Sequence, residues 1–238
     1  MLILFDIDMT LISTGGSGMK AMGDAGRELF GPAFSTEGIE FAGRLDPLII
    51  ADLLARFGGA DGLDEGAGGM RTFREAYRRH LARRLAEPGV GRALPGVQDL
   101  LAALRGRAGV TLGLLTGNFE ETGSMKLRAC GIDPTRFAVR VWGDESPHVP
   151  ARREHLVPVG IGRGNAARGA ALRPEEVTVI GDTPHDVLCA RTHGCRSLGV
   201  ATGRCSEREL RAAGADLVLP DLAGTGRVLS WLMGEGGA

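Results

Sequence analysis

The chain begins "MLILFDIDMT", so four consecutive apolar residues, Leu2 to Phe5, run straight into Asp6 and Asp8. A short unbroken apolar run reads as a strand buried on both faces of a parallel sheet. Carboxylates at the tip of such a strand are costly to strip of water unless something binds them. The rest of the chain has to enclose that strand and bring a partner to its end.

Five later segments repeat the apolar pattern. "VTLGLLTGN", "FAVRVWGD", "EVTVIGD", "CRSLGVATG" and "ADLVLPD" read as short buried strands separated by helices. One of those helices begins at Ser206 with a capping box to Glu209. Alternation of this kind means βαβ units and a parallel sheet. Residues from about 15 to 90 read instead as wholly helical. A glycine-rich turn leads into a first helix, and Asp46 is placed to cap a second, with Pro47 in its first turn. "GLDEGAGG" reads as a loop. Met70, Phe73, Tyr77, Leu81 and Leu85 then follow at spacings of three and four, an amphipathic helix with an arginine-rich outer face. The expected fold class is α/β, an open Rossmann-like parallel sheet with a helical bundle inserted after the first strand. The sheet domain takes residues 1–14 and 91–238, and the insert takes 15–90.

Bulk properties bound the function. The chain has 238 residues, 43% hydrophobic and 24% charged, enough to bury a sizeable core. A net charge of −1 leaves no electrostatic footprint for nucleic acid. No apolar stretch approaches the roughly 20 residues needed to span a bilayer. The start lacks a basic segment ahead of its short apolar run, so a cytoplasmic location is expected. Cys130, Cys189, Cys195 and Cys205 show no zinc spacing and read as reduced thiols. Of 28 basic residues only Lys20 and Lys126 are lysines.

Three strands end in polar clusters: Asp6, Asp8 and Thr10; Thr116, Gly117 and Asn118; Gly181, Asp182, Thr183 and Asp186. In a parallel sheet these tips lie side by side, and ligands bind beyond them at the switch point. Converging carboxylates repel one another unless a cation sits among them. An all-oxygen donor set suits Mg²⁺.

With these residues in place, the chain resembles the haloacid dehalogenase superfamily, and within it the phosphoglycolate phosphatase-like enzymes with a helical cap. "DIDMT" is similar to the first motif of that family, "LLTGN" to the second and "VIGDTPHD" to the fourth. The resemblance implies that Asp6 is the nucleophile and Asp8 the general acid and base. It implies Mg²⁺ bound by the carboxylates of Asp6 and Asp182 and the backbone carbonyl of Asp8. Thr116, Gly117 and Asn118 would receive the phosphoryl group, and residues 15–90 would be the cap. Asp186 is either a supporting residue or a first-turn carboxylate of a helix with Thr183 at its cap and Pro184 in first position.

Two positions depart from the family pattern. Met9 stands where glycine is usual, which predicts altered packing. The third motif normally supplies a lysine; Lys126 falls too close behind the second motif and Lys20 lies in the insert. Arg152 and Arg153 precede a helix in the right interval, and Arg153 is the preferred replacement, since a guanidinium also holds carboxylate and phosphoryl oxygens. Arg44 either faces the substrate or makes a loop ion pair. The function implied is a Mg²⁺-dependent phosphatase of a small phosphate ester, phosphoglycolate- or sugar-phosphate-like, working through an aspartyl phosphate. Its partner is that small molecule, with no nucleic acid or membrane, and the chain acts as a monomer or homodimer. A phosphomutase of the same fold is the alternative. A 2-haloacid dehalogenase has no call for Asp8, and a non-catalytic binding module is expected to lack one of Asp6, Asp8 and Asp182.

Overall fold

The computed structural model describes residues 1–58 and 66–235. In chain order its elements are β1 (Leu2–Phe5), β2 (Ile12–Ser13), α1 (Ser17–Phe30), α2 (Asp46–Phe57), α3 (Ala67–Leu85), β3 (Arg92–Ala93), α4 (Val97–Leu104) and β4 (Thr111–Leu115). There follow α5 (Glu120–Ala129), β5 (Val139–Val141), α6 (Leu156–Arg168), β6 (Val177–Gly181), α7 (Pro184–Thr192), β7 (Arg196–Val200), α8 (Glu207–Ala212), β8 (Leu217–Leu219) and α9 (Thr225–Met233).

Six strands form one parallel sheet in the order β5-β4-β1-β6-β7-β8. The chain builds outward from β1 on one side, then crosses back and builds on the other. β1 is therefore central, and the switch point lies at its tip. Its apolar run fills both faces because successive side chains point opposite ways. Ile3 and Phe5 join one core cluster with Leu114 and Ile180; Leu2 and Leu4 join another with Val139 and Val157. All four are fully buried. The five later strands lie where the apolar runs predict them.

The helices α1 to α3 close around a third cluster. Phe73, Tyr77 and Leu81 of α3 are its fully buried stripe, and they meet Ala21, Met22 and Ala25 of α1 and Leu53 of α2. Phe34 packs in the same cluster, tilted against Phe57 with 4.6 Å between ring centroids. Half-exposed ion pairs such as Arg84 with Asp24, at 2.5 Å, edge the α1–α3 seam. Pairs like that contribute about 1 kcal/mol or less, so apolar burial holds the helices together.

Several local expectations change. The insert is not wholly helical: Gly31 to Leu45 runs outside any helix. Leu45 occupies the N-cap of α2, and Asp46 is the first helical residue with no capping bond from its side chain. Of "GLDEGAGG", Gly62 to Glu65 lie outside the described residues, while Ala67 to Gly69 open α3. The pair β2–β3, antiparallel with Ile12 opposite Ala93, ties the chain leaving for the helices to the chain returning. Two-residue strands carry no periodicity to read. The Ser206–Glu209 capping box of α8 forms. Cys130, Cys189 and Cys195 are buried free thiols and Cys205 is half-buried. No helix among the described residues is long and apolar enough to cross a membrane.

The tightest contact in the helical cluster is at Gly26, where an added Cβ would come within 2.0 Å of the Phe34 ring. Phe34 is locked by Phe57 and Phe73. Gly26→Ala is therefore expected to cost about 1–3 kcal/mol by overpacking, despite the better helix propensity of alanine. Urea unfolding monitored by circular dichroism checks this, and an unchanged midpoint would contradict it.

Candidate active site

The tip of β1 sets the geometry. The Asp6 N–H still donates to the Ile180 carbonyl at 2.9 Å, extending the ladder by one residue. The chain then turns away. Leu11 and Ile12 N–H both donate to the Ile7 carbonyl, at 3.0 and 3.1 Å. Asp6 and Asp8 consequently splay apart instead of sharing a strand face. Met9 makes the turn with φ of +57°. That left-handed conformation costs a non-glycine residue roughly 1–2 kcal/mol, a physical reason for glycine at this position.

Asp6, Asp182 and Asp186 converge, each offering a carboxylate oxygen within 4.8 Å of the others. Asp186, in the first turn of α7, is fully engaged. Its Oδ2 accepts from the Thr183 N–H at 3.1 Å and the Thr183 hydroxyl at 2.7 Å, and its Oδ1 accepts from Arg153 Nη2 at 2.7 Å. Asp186 thus closes the capping box of α7 with one oxygen and touches Arg153 with the other. Asp182, at the end of β6, has a single long contact, from the Thr10 hydroxyl at 3.4 Å. Burial, then the charges of Asp186 and Asp6, push Asp182 up to about 8. Burial also raises Asp6, against the pull of Arg153, to about 6. Buried, crowded carboxylate oxygens with open coordination fit a divalent cation, and Asp6 and Asp182 are the two with oxygens to give.

Arg153 lies in the 3-10 turn Arg153–His155 ahead of α6 and is buried, whereas Arg152 is exposed. Its Nη2 is 3.0 Å from Asp6 Oδ1 as well as 2.7 Å from Asp186, and its Nη1 donates to the Gly43 carbonyl at 3.1 Å. Burial opposes its charge, but Asp186 and Asp6 outweigh that and hold the guanidinium above its ordinary value.

On the other side of Asp6, the tip of β4 carries a linked set. Asn118 Nδ2 donates to Thr116 Oγ1 and to Asp8 Oδ2, both at 2.9 Å. Lys126 Nζ reaches into the same place and donates to Asp8 Oδ2 at 2.7 Å and Asn118 Oδ1 at 2.6 Å. Sequence reasoning weighed Lys126 only as a third-motif lysine and missed it here. It sits in the second turn of α5, whose N-terminus is at the β4 tip, and helical side chains lean toward the N-terminus. A lysine in a chain that otherwise uses arginine was the available signal.

A loop from the helical segment roofs these groups. Gly43, with φ of +70°, packs so close that a Cβ would come within 2.5 Å of His185 and 2.8 Å of the Thr183 hydroxyl. A Cβ at Gly117 would come within 2.0 Å of the Arg44 carbonyl, and the Asp46 N–H donates to the Gly117 carbonyl at 2.7 Å. Only glycine permits that approach. Arg44 makes the ion pair, with Asp52 at 2.7 Å, and also lines the cavity. The cavity beneath measures about 530 Å³ and includes Asp6, Asp8, Asn118, Lys126, Arg153 and Asp182 in its lining.

A sequence profile of the haloacid dehalogenase-like hydrolases matches residues 3–191. The chain belongs to that family. A second profile, for HAD-hydrolase-like proteins, matches residues 159–225. Among curated relatives, a phosphoglycolate phosphatase of Chromobacterium violaceum is 28% identical over 155 residues, covering 65% of this chain and 62% of the relative. The pyrophosphatase PpaX of Bacillus pumilus is 30% identical over 127 residues, 53% of this chain and 55% of the relative. The matched part thus spans little more than half the length of these relatives. Solved structures agree over nearly the whole chain. A predicted phosphoglycolate phosphatase from Haemophilus somnus superposes with a TM-score of 0.71 at 19% identity, covering 96% of this chain and 97% of that one. CbbY from Rhodobacter sphaeroides, in complex with phosphate, gives 0.67 at 23% identity, with 94% and 96% covered. At these identities the likeness concerns the fold, the α/β sheet expected from the apolar runs.

The raised carboxylates of this family member predict a pH signature. Asp6 and Asp182 hold their protons to about 6 and about 8, whereas unfolded aspartates release theirs near 4. In that window the folded state binds more protons, so stability falls as pH rises. A cation that binds the ionised pair reverses the trend. Tm measured with and without MgCl₂ is expected to show a larger gain at pH 8 than at pH 5.5, and Asp182→Asn is expected to remove the difference. Equal gains at both pH values would refute the assignment.

Proposed function

We propose that the protein is a Mg²⁺-dependent phosphatase that hydrolyses a small phosphate ester, phosphoglycolate- or sugar-phosphate-like, through an aspartyl phosphate on Asp6. In this reading residues 1–14 and 91–238 form the hydrolase core and residues 15–90 the cap. The observation that carries it is the splayed pair: Asp6 faces Arg153 and Asp182 while Asp8, two residues on, faces Lys126 and Asn118. Two carboxylates with separate environments suit two separate roles. The catalogue of relatives, phosphatases and a pyrophosphatase by name, supports the same substrate class.

The chemistry assigned to the residues is a double displacement. An Asp6 oxygen attacks phosphorus, the bond from phosphorus to the ester oxygen breaks, and Asp8 gives the departing alkoxide a proton. Water then attacks the acyl phosphate while Asp8 takes its proton. The phosphorus–Asp6 bond breaks, inorganic phosphate leaves and the carboxylate is restored. Arg153 holds Asp6 against phosphoryl oxygens that the Thr116 hydroxyl and the backbone of Gly117 and Asn118 also receive, the Asn118 side chain being engaged with Thr116 and Asp8. A Mg²⁺ held by the Asp6 and Asp182 carboxylates and the Asp8 carbonyl would supply neutralisation of the phosphoryl dianion. The roofing loop around Gly43 would exclude bulk water and admit only small leaving groups.

A panel of phosphate esters assayed for inorganic phosphate, without added bisphosphate, tests hydrolysis against phosphoryl transfer. EDTA is expected to abolish release and Mg²⁺ to restore it; full activity in chelator would sink the reading. Asp6→Asn is expected to abolish both turnover and acid-stable label from ³²P-ester. Arg153→Ala is expected to lower kcat/KM by about 10²-fold or more, the scale of losing a charged group on the transferring phosphoryl oxygens. Arg153→Lys is expected to recover only part of that loss, since an ammonium cannot span Asp6, Asp186 and the Gly43 carbonyl together, and Arg152→Ala should retain nearly all activity. A larger loss in Arg152→Ala than in Arg153→Ala would reverse the assignment.

A further inference from the structure

Lys126 is a buried cation that the proposed chemistry does not use. Its side chain is 6% exposed, and it is one of only two lysines among 28 basic residues. Stripping water from an ammonium is costly, and a packing role at this position would be met by an apolar chain of the same length. Around the ammonium stand Asp46 and Tyr77; Asp46 Oδ2 has no hydrogen-bond partner among the described residues, and the Tyr77 hydroxyl lies beside that of Thr122. The bonds recorded for Nζ go to Asp8 Oδ2 and Asn118 Oδ1. Asn118 in turn donates to the same Asp8 oxygen. Two donors from two elements therefore converge on Oδ2, which fixes the plane of the Asp8 carboxylate.

The space is cut for a point charge. A Cβ on Gly18 would lie 2.9 Å from Lys126 Nζ, 3.1 Å from its Cε and 3.4 Å from the Tyr77 hydroxyl. A planar guanidinium is wider than an ammonium, and this chain uses lysine here against its habit.

We propose that Lys126 is the positioning residue for Asp8: with Asn118 it pins Oδ2, so that Oδ1 is the oxygen that gives a proton to the leaving alkoxide and takes one from water. The inference rests on the general acid and base role of Asp8 proposed above. It concerns geometry, since a misplaced proton donor loses rate without losing substrate.

The test compares esters of poor and good leaving groups in Lys126→Met. For alkyl phosphates kcat is expected to fall about 10²-fold with little change in KM, the usual scale of general acid catalysis. For 4-nitrophenyl phosphate, whose leaving group needs no proton, formation of the phosphoenzyme is expected to be largely spared. In an Asp8→Ala background, adding Lys126→Met is expected to change the residual rate by less than about twofold, because a residue acting only through Asp8 has nothing left to act on. Gly18→Ala covers the case in which Lys126→Met does not fold. It keeps the lysine, improves the propensity of α1 and crowds the ammonium, so kcat for alkyl phosphates should drop about tenfold with an unchanged or higher Tm. Losses that multiply in the double variant, equal losses in phosphoenzyme formation across all leaving groups, or an unaffected Gly18→Ala would each overturn the proposal. A native protein that releases phosphate from no ester would sink the functional reading and this inference with it; an active native protein with independent losses would sink this inference alone.

Discussion

The Arg153 guanidinium is the interaction on which the upper half of the molecule depends. It is nearly inaccessible to water, and its three partners come from three distant parts of the chain: Asp6 after β1, Asp186 in α7 and the Gly43 carbonyl in the helical segment. A buried ion pair adds little to stability when complete, yet losing one partner leaves the others charged and unsolvated. The arrangement is therefore cooperative. The strand tip that carries Asp6, the helix that follows β6 and the roofing loop hold their places through one planar group.

Lys126 plays the matching part on the far side of Asp6. Each of the first two aspartates has its own cation, Arg153 for Asp6 and Lys126 for Asp8, and the turn through Met9 keeps the pairs from exchanging. Two like carboxylates two residues apart would otherwise compete for one counter-charge. The difference in cation shape follows the difference in task. A fork spans two carboxylates and a carbonyl, while a compact ammonium serves a single oxygen and a neighbouring amide.

Much of this was legible in the amino-acid order, for a physical reason. Strands buried on both faces must be apolar throughout, so Leu2 to Phe5 and the five later runs declare themselves without any periodicity. Polar groups at their ends stand out against that background, which is how Asp6 and Asp182 could be named; Arg153, ahead of a helix, was named only against the third motif of the family. What was illegible depends on tertiary approach. Lys126 reaches Asp8 by leaning back along α5 across the β1–β4 pair, a path with no fixed sequence spacing. Asp46 looked like a cap because aspartate often is one, but Leu45 takes that position and the carboxylate turns into the seam, where burial raises it to about 7. The stretch from Gly31 to Leu45 has no helical pattern of its own and lies between segments that have one; Phe34 there folds back onto Phe57, and Gly43 drops onto the core.

The central place of β1 also governs when the site comes into being. Leu2 pairs with Thr111 on one side and Val177 on the other, so the central strand precedes both of its neighbours by long stretches of chain. Pairings this remote carry a loop-closure cost and come slowly, whereas α1 to α3 gather through nearer contacts. While the chain is being synthesised, its most apolar segment waits for β6 to emerge. Asp6 and Asp182 have no common neighbourhood before then. The carboxylate cluster thus forms all at once, with the closing of the sheet, and belongs to no shorter piece of the chain.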